Sequence, residues 1–288
     1  MKKLLCAIIC IMSLSAIAQD KALLIGVSTY QDGSGWGKIH SYNDINLLRE
    51  SLPETCAITT LCDSDATYQG IITAVKQLIK NSCIGDQVLL HFSGHGQQMI
   101  SSDPNESDLL DEALIPYDAP RIRSNTYNGE KHLVDNEIEG LVNELRSSVG
   151  SKGLVVVTVD ACHSGDSHRG GESDEEEVFV RGTPEIFGLN TISKDSMYTI
   201  YQHQDKVDYV SLCSKDSVAD VVYISACMPY DTSTEVKDNG VSYGPLSYSM
   251  ANAYGVFDFD SIKEWTQSID SYMRITIKQK PYIVSTLE

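Results

Sequence analysis

The sequence predicts an α/β domain built on about six mostly parallel strands with helices on both faces. Three observations predict it. Short apolar runs alternate along the chain with helical patterns, several of those runs are hydrophobic almost without interruption, and the length beyond a leader-like start suits one large core. Near-continuous hydrophobicity implies burial on both sides, which parallel sheets require.

The leader comes first. Lys2 and Lys3 precede an apolar stretch from Leu4 to Leu14, and Ala16-Ile17-Ala18 supplies the small-x-small pattern of a secretory cleavage site before Gln19. Residues 1–18 are therefore expected to be a signal peptide, too short for a comfortable membrane span and without lipoprotein spacing around Cys6 or Cys10. An exported, periplasmic or secreted protein with no stable membrane anchor is the resulting expectation. Removing those residues leaves 288 − 18 = 270 residues, with 22 − 2 = 20 basic and 40 acidic side chains, a formal charge of −20. So acidic a chain lacks the clustered Lys and Arg that nucleic acid or an anionic membrane would need. Six cysteines remain (8 − 2), and their spacing fixes no disulfide connectivity.

The strands expected after the leader are Ala22 to Val27, Ile58 to Cys62, Val88 to Phe92, Leu154 to Val159 and Val221 to Ala226, with a sixth at Tyr282 to Val284. Ile71, Ile72, Val75, Leu78 and Ile79 mark one amphipathic helix. Ile138, Leu141, Val142 and Leu145 mark another, with Asp135 as its cap, and a third runs from about Asp260 to Ile277. Two polar stretches, 101–132 and 166–206, read as long loops of functional interest.

Chemistry concentrates at two strand ends. HFSGHG at 91–96 and VDACHSG at 159–165 each place a reactive side chain, His95 or Cys162, where a buried strand passes into a glycine-bearing turn. A thiolate is an intrinsically strong nucleophile when a base or a helix N-terminus stabilises it, so the pair reads as a cysteine protease dyad. His163 is a competing base, but adjacent residues tend to point apart. A zinc pair of His91 and His95 fails because residues four apart on a strand lie roughly 13 Å apart. GSGWGK at 33–38 lacks phosphate-loop spacing and the Ser or Thr that would bind magnesium, and reads as a flexible loop beside the substrate. Asp44 and Asp160, were the fold to bring both beside the dyad, would attract Arg or Lys and repel an acidic side chain. Taken singly, they are equally a helix cap and a strand-end residue bonding local amides.

KALLIGVSTY, SYNDI, HFSGHGQQ, DEALIPYD, VDACHSGD and ISACMPYDTSTE followed by GPLSYSM occur in that order over residues 21–250. On these segments the chain resembles the caspase-like cysteine peptidases, and within them the metacaspase branch and its bacterial relatives. The resemblance implies a caspase-like fold divided into a large-subunit-like part (19–165), a linker (166–206) and a small-subunit-like part (207–288). It assigns His95 as general base, Cys162 as nucleophile, and the amides of Gly96 and Cys162 as the oxyanion hole. Ser41, Asp44, Ser93, Asp160 and Asp231 take substrate-pocket positions, implying protein or peptide substrates with a basic residue before the cut.

Arg169, Arg181 and Lys194 in the linker become candidates for self-cleavage. No cofactor is required by this chemistry. Calcium is the one candidate, through Asp108, Asp111, Asp135 and Glu137, although Asp135-Asn136-Glu137 replaces the family's aspartate run and Arg169 stands near the last expected ligand. A monomeric enzyme is expected. An Arg-specific protease of the clostripain or gingipain type is the nearest alternative, and a non-catalytic binding module is the other.

Overall fold

The computed structural model describes residues 18–101, 109–163, 178–189, 217–228, 231–253 and 259–287. The expected signal peptide up to residue 17, and the linker positions Arg169 and Lys194, lie outside these residues.

Strands β1 (Asp20–Gly26), β2 (Ala57–Cys62), β3 (Gln87–Ser93), β7 (Leu154–Asp160), β8 (Asp220–Ser225) and β11 (Tyr282–Ser285) form a six-stranded sheet in the order β11-β8-β7-β3-β1-β2. Every pairing is parallel except that of β11, which runs antiparallel to β8 at one edge. The expected strands are all present, within two residues at each end.

The sheet divides the core into two layers because alternate residues of a strand point to opposite faces. Leu23 and Ile25 of β1, with Val155, Val157 and Val159 of β7, enter one cluster. Helices α2 (Tyr68–Asn81) and α3 (Asp135–Val149) cover it with Ile71, Val75, Leu141 and Leu145. Ala22, Leu24, Leu154 and Val156 enter the other, under α1 (Ser41–Ser51), α4 (Pro245–Asn252) and α5 (Ile262–Tyr272), through Leu48, Met250, Trp265 and Ile269. Each buried Leu, Ile or Val side chain is worth about 1.5 to 3 kcal/mol, so both layers contribute substantially to stability.

Helix ends follow local chemistry. Thr67 caps α2 by accepting from the Gly70 amide, and Pro245 opens α4, where its missing N–H costs nothing. Asp135 is the first residue of α3 rather than its cap; Val134 holds the cap position, and no side chain caps the helix. The carboxylates of Asp135 and Glu137 still lie in the first turn, where the helix dipole favours them. The expected helix over 260–277 divides into a 3-10 turn (Phe259–Ser261), α5 and a π segment (Met273–Ile277).

The stretch 101–132 is not wholly a loop. Leu110–Leu114 forms a fully buried strand, β5, between β4 (Gly96–Ile100) and β6 (Leu133–Val134) in a three-stranded antiparallel sheet. Its Asp and Glu argue against a strand by composition, but pairing on both sides satisfies the backbone and overrides propensity. A two-stranded ribbon of β9 (Val236–Asp238) and β10 (Val241–Tyr243) completes the set.

Candidate active site

Ser93 of β3 pairs with Asp160 of β7, so the two strands end side by side. His95 and Cys162 each follow two residues later, which brings the imidazole and the thiol to the same end of neighbouring parallel strands. Both are buried, and Cys162 has no exposed surface.

The imidazole of His95 is held on three sides. Its ring stacks on Trp36, with centroids 4.9 Å apart, and tilts against Tyr30. Nε2 lies 3.0 Å from the Gly37 carbonyl. A carbonyl only accepts, so Nε2 carries the proton and the lone pair is on Nδ1. Nδ1 is buried and makes no hydrogen bond among the described residues. Burial pushes the imidazole down to about 4, with the Gly37 bond opposing the shift and the Arg181 charge adding to it. His95 is therefore a neutral base near pH 7. Trp36 and Gly37 belong to the loop expected to be flexible, yet it is anchored by Trp36 Nε1 donating to Ala119 O and by Arg121 N donating to Ser34 O.

The Cys162 thiol donates to the Asp231 carbonyl at 3.3 Å, and Cys227 shares that acceptor at 3.4 Å. Asp231 thus meets the thiol through its backbone. His91 lies between Thr158 Oγ1 and Ser247 Oγ, and burial, with the Arg181 charge adding to it, pushes its imidazole down to about 3. His163, the competing base, is buried and pushed down to about 4, and its ring packs against Gly96.

The pocket beside the dyad is filled by this chain's own Arg181, whose guanidinium is fully buried. Nη2 donates to Asp44 Oδ2 at 2.8 Å and to Glu235 Oε1 at 2.9 Å; Nη1 donates to Ser93 Oγ at 2.7 Å and to the Asp160 carbonyl at 3.2 Å. Asp160 Oδ1 stands 3.9 Å from Nη1, while Oδ2 accepts from the amide and hydroxyl of Ser247. Asp44 also accepts from Ser93 Oγ and from the Gly244 amide. Ser41, at the start of α1, is buried, and its hydroxyl makes no hydrogen bond among the described residues.

Burial alone would favour the neutral guanidine, but Asp44, Asp160 and Glu235 outweigh it and hold Arg181 charged. Burial pushes Asp44 up to about 7, against the attraction of Arg181 and with the repulsion of Asp160. Asp160 is raised for the same first reason.

The backbone around Arg181 is equally well placed. Its carbonyl oxygen accepts from the amides of Gly96 and Cys162, both at 3.1 Å. Its amide donates to Ser233 O at 3.0 Å, Val180 bridges Thr234, and Glu235 N donates to Phe179 O, so residues 179–181 run antiparallel along residues 233–235. Gly182 lies so close to Cys162 that a Cβ there would be 2.2 Å from the Cys162 carbonyl oxygen and 2.9 Å from Sγ. Only glycine fits at that approach.

The sequence reading did not assign Glu235, Gly37, Trp36, Gly244 or Ser247. Glu235 was detectable in principle, because it alternates with the buried Ser233 in an extended segment next to the pocket. The calcium candidates are not brought together. Glu137 accepts from the Tyr68 hydroxyl, Asp135 from the Asn136 amide, and Asp111 sits in β5 opposite Met99. Asp108 lies outside the described residues, and no three His, Cys, Asp or Glu side chains among those described converge as a metal site. The three described candidates do not converge into the set of six or more oxygens that a hard cation wants. Among the described residues, Cys56, Cys62, Cys83, Cys162 and Cys227 form no disulfide with one another.

Comparison with known proteins bears on the family and the fold. The family described as "Caspase domain" matches residues 19–288. Metacaspase-1 of Mycosarcoma maydis is 25% identical over 293 residues, covering 92% of this chain and 70% of its own length. Metacaspase-1B of Neosartorya fischeri is 26% identical over 236 residues, covering 75% of this chain and 54% of its own length. The chain thus spans between 54% and 70% of these two relatives. The crystal structure of protein GSU0716 from Geobacter sulfurreducens superposes with a TM-score of 0.63 at 22% identity, covering 92% of this chain and 93% of that one, a likeness of fold.

Proposed function

Because the chain belongs to the caspase-domain family of cysteine peptidases, we propose that it is an exported endopeptidase that cuts after Arg or Lys, and that one of its substrates is its own Arg181–Gly182 bond. One observation carries this reading. The Arg181 carbonyl rests between the Gly96 and Cys162 amides while its guanidinium fills a pocket of Asp44, Ser93, Asp160 and Glu235. Carbonyl and side chain are held as a bound substrate's would be. Export rests only on the leader-like residues 1–18.

The chemistry follows from the placement. Nδ1 of His95 takes the Cys162 proton, and the thiolate attacks the Arg181 carbonyl carbon. Negative charge then develops on an oxygen already facing two N–H donors, which stabilise it without reorganisation. The tetrahedral intermediate collapses as the imidazolium returns its proton to the Gly182 nitrogen, leaving a thioester on Cys162. Water activated by His95 releases the Arg181 carboxylate and restores the thiol. A lysine would reach the same carboxylates with a point charge and forgo the forked contacts.

Incubation of purified precursor beside the Cys162→Ala protein, followed by mass spectrometry of new termini, tests the self-cleavage. A new N-terminus at Gly182 is expected only in the active protein. An active enzyme that remains intact at Arg181 would overturn that part of the proposal.

The acidic pocket also predicts a pH dependence. Burial raises the Asp44 carboxyl well above the usual carboxylate range and the Arg181 charge opposes that rise, so an emptied pocket takes up a proton as pH falls, and that proton competes with the substrate cation. KM for an arginine substrate is expected to rise as pH falls from 8 to 6, and Asp44→Asn should remove this acidic limb. An unchanged limb in the variant would place the titration elsewhere.

A further inference from the structure

The chain downstream of Arg181 enters a second site that the peptidase chemistry does not use. Alternate amides on the edge of β4 away from β5 meet residues around and beyond the Cys162 turn. Gly96 N donates to the Arg181 carbonyl and Gln98 N to His163 O at 3.2 Å. Ile100 N then donates to Phe187 O at 3.0 Å, and Phe187 N returns a bond to Gln98 O at 2.8 Å. Met99 and Phe187 are bridged in parallel register. A single strand edge therefore supplies an oxyanion donor and, four residues on, or about 13 Å at strand rise, the seat of Phe187.

That seat is a built pocket. The Phe187 ring is buried, meets Tyr127 edge-on with centroids 5.7 Å apart and packs on His132 at 4.5 Å. Tyr127 OH donates to His132 Nδ1, His132 Nε2 donates to Gln97 Oε1, and Gln97 Nε2 donates to the Glu185 carbonyl at 2.9 Å. Buried polar groups joined this way hold Tyr127, His132 and Gln97 in place, and the last bond, to Glu185 O, is made to the segment that carries Phe187. Gly129 closes the wall at a φ of +104°; a Cβ there would stand 2.9 Å from Met99 Cε and 3.0 Å from Phe187 Cε1.

We infer that the β4 edge and the pocket of Met99, Tyr127, Gly129 and His132 form a recognition site for an aromatic side chain six residues after the cut, and that this site selects the Arg181–Gly182 bond for self-cleavage. Counting Gly182, Thr183, Pro184, Glu185, Ile186 and Phe187 places the ring in the sixth position. At the same offset Arg169 has Glu175, Lys194 has Ile200 and Lys206 has Leu212. Of these basic residues, Arg181 alone carries an aromatic residue at the distance set by the strand. The inference rests on the reading of Arg181–Gly182 as the bond cut, and it adds a determinant of specificity on the leaving side of that bond.

The test compares precursors carrying Phe187→Ala, Phe187→Leu or Phe187→Tyr with the wild type. Appearance of the Gly182 terminus is followed by mass spectrometry, and each protein is also assayed on a fluorogenic peptide that ends in Arg and has nothing beyond the reporter. Losing a buried aromatic anchor is expected to slow self-cleavage by about tenfold or more for Ala, and by about threefold or more for Leu, which keeps apolar volume. The Tyr variant should stay within about threefold of wild type, because the aromatic ring is kept.

Reporter turnover after complete processing should be the same in all four proteins. Self-cleavage of Phe187→Ala or Phe187→Leu at the wild-type rate would overturn the inference, as would equal slowing by Tyr and Ala. A wild type that cleaves the reporter but not Arg181–Gly182 overturns it while leaving specificity for Arg intact. A reporter untouched by every protein means that the underlying reading has failed instead.

Discussion

Replacing Cys162 with alanine is expected to leave the precursor as one uncut chain and to lower peptide turnover by on the order of 10⁴-fold or more, since no other group supplies the nucleophile. His95→Ala should cost nearly as much. With Nε2 committed to the Gly37 carbonyl and Nδ1 otherwise unpartnered among the described residues, His95 is the group placed to receive the thiol proton. The two side chains act as one unit, so the double variant should be little worse than either single one. Circular dichroism and thermal unfolding should be nearly unchanged for Cys162→Ala, because the strand ends keep their backbone pairing. Near wild-type turnover by His95→Ala would transfer the base to His163 and remove His95 from the mechanism.

Asp44→Ala should lower kcat/KM for arginine substrates by roughly 30-fold to several thousand-fold, corresponding to about 2 to 5 kcal/mol for one partner lost from a desolvated ion pair. The size follows from what the carboxylate holds. Its oxygens accept from Arg181 Nη2, from Ser93 Oγ and from the Gly244 amide, and all three donors would be left in a buried pocket. Glu235 and Asp160 remain and keep part of the attraction. Alkylation of Cys162 by iodoacetamide should proceed at the wild-type rate in an Arg181-cleaved sample, which separates a pocket defect from a damaged thiol. A variant that loses alkylation along with turnover would show that Asp44 supports the dyad rather than the substrate. A wild type that prefers Asp before the cut would sink the acidic-pocket reading outright.

The inner strands were legible because burial on both faces forces nearly unbroken apolar runs, and VLLHF and LVVVTV leave little choice, whereas the edge strands β2 and β11 are only partly buried and were read from shorter apolar runs. The dyad was legible because glycine-bearing turns after such runs are uncommon places for His and Cys. Strand β5 was not legible. Leu-Asp-Glu-Ala-Leu becomes a strand only through its neighbours on both sides, which no local window contains. Glu235 and Gly244 lie far from Asp44 in sequence and join it only after the chain returns from β8, so their type alone said nothing. The seat of Phe187 was equally hidden, since Gln97 lies on β4 while Tyr127 and His132 belong to a stretch well downstream of it. Arg181 was recognised as a basic residue in a linker, but its place in the pocket depends on the antiparallel pairing of 179–181 with 233–235.

The paired ends of β3 and β7 have a dynamic consequence. Both strands lie inside the six-stranded sheet, bonded on each side, so the separation of His95 and Cys162 is set by the interstrand spacing and opens only when the sheet does. The linker is attached quite differently. Residues 179–187 join the body through the Arg181 side chain, the seat of Phe187 and bonds to residues 233–235 and to one edge of β4, and an edge attachment opens at lower free energy than a central ladder. Amide exchange should therefore be slow at Leu89 and Val156 and fast at Val180 and Phe187 within the same molecule. Heating would then free the tethered segment while the reacting groups still kept their spacing.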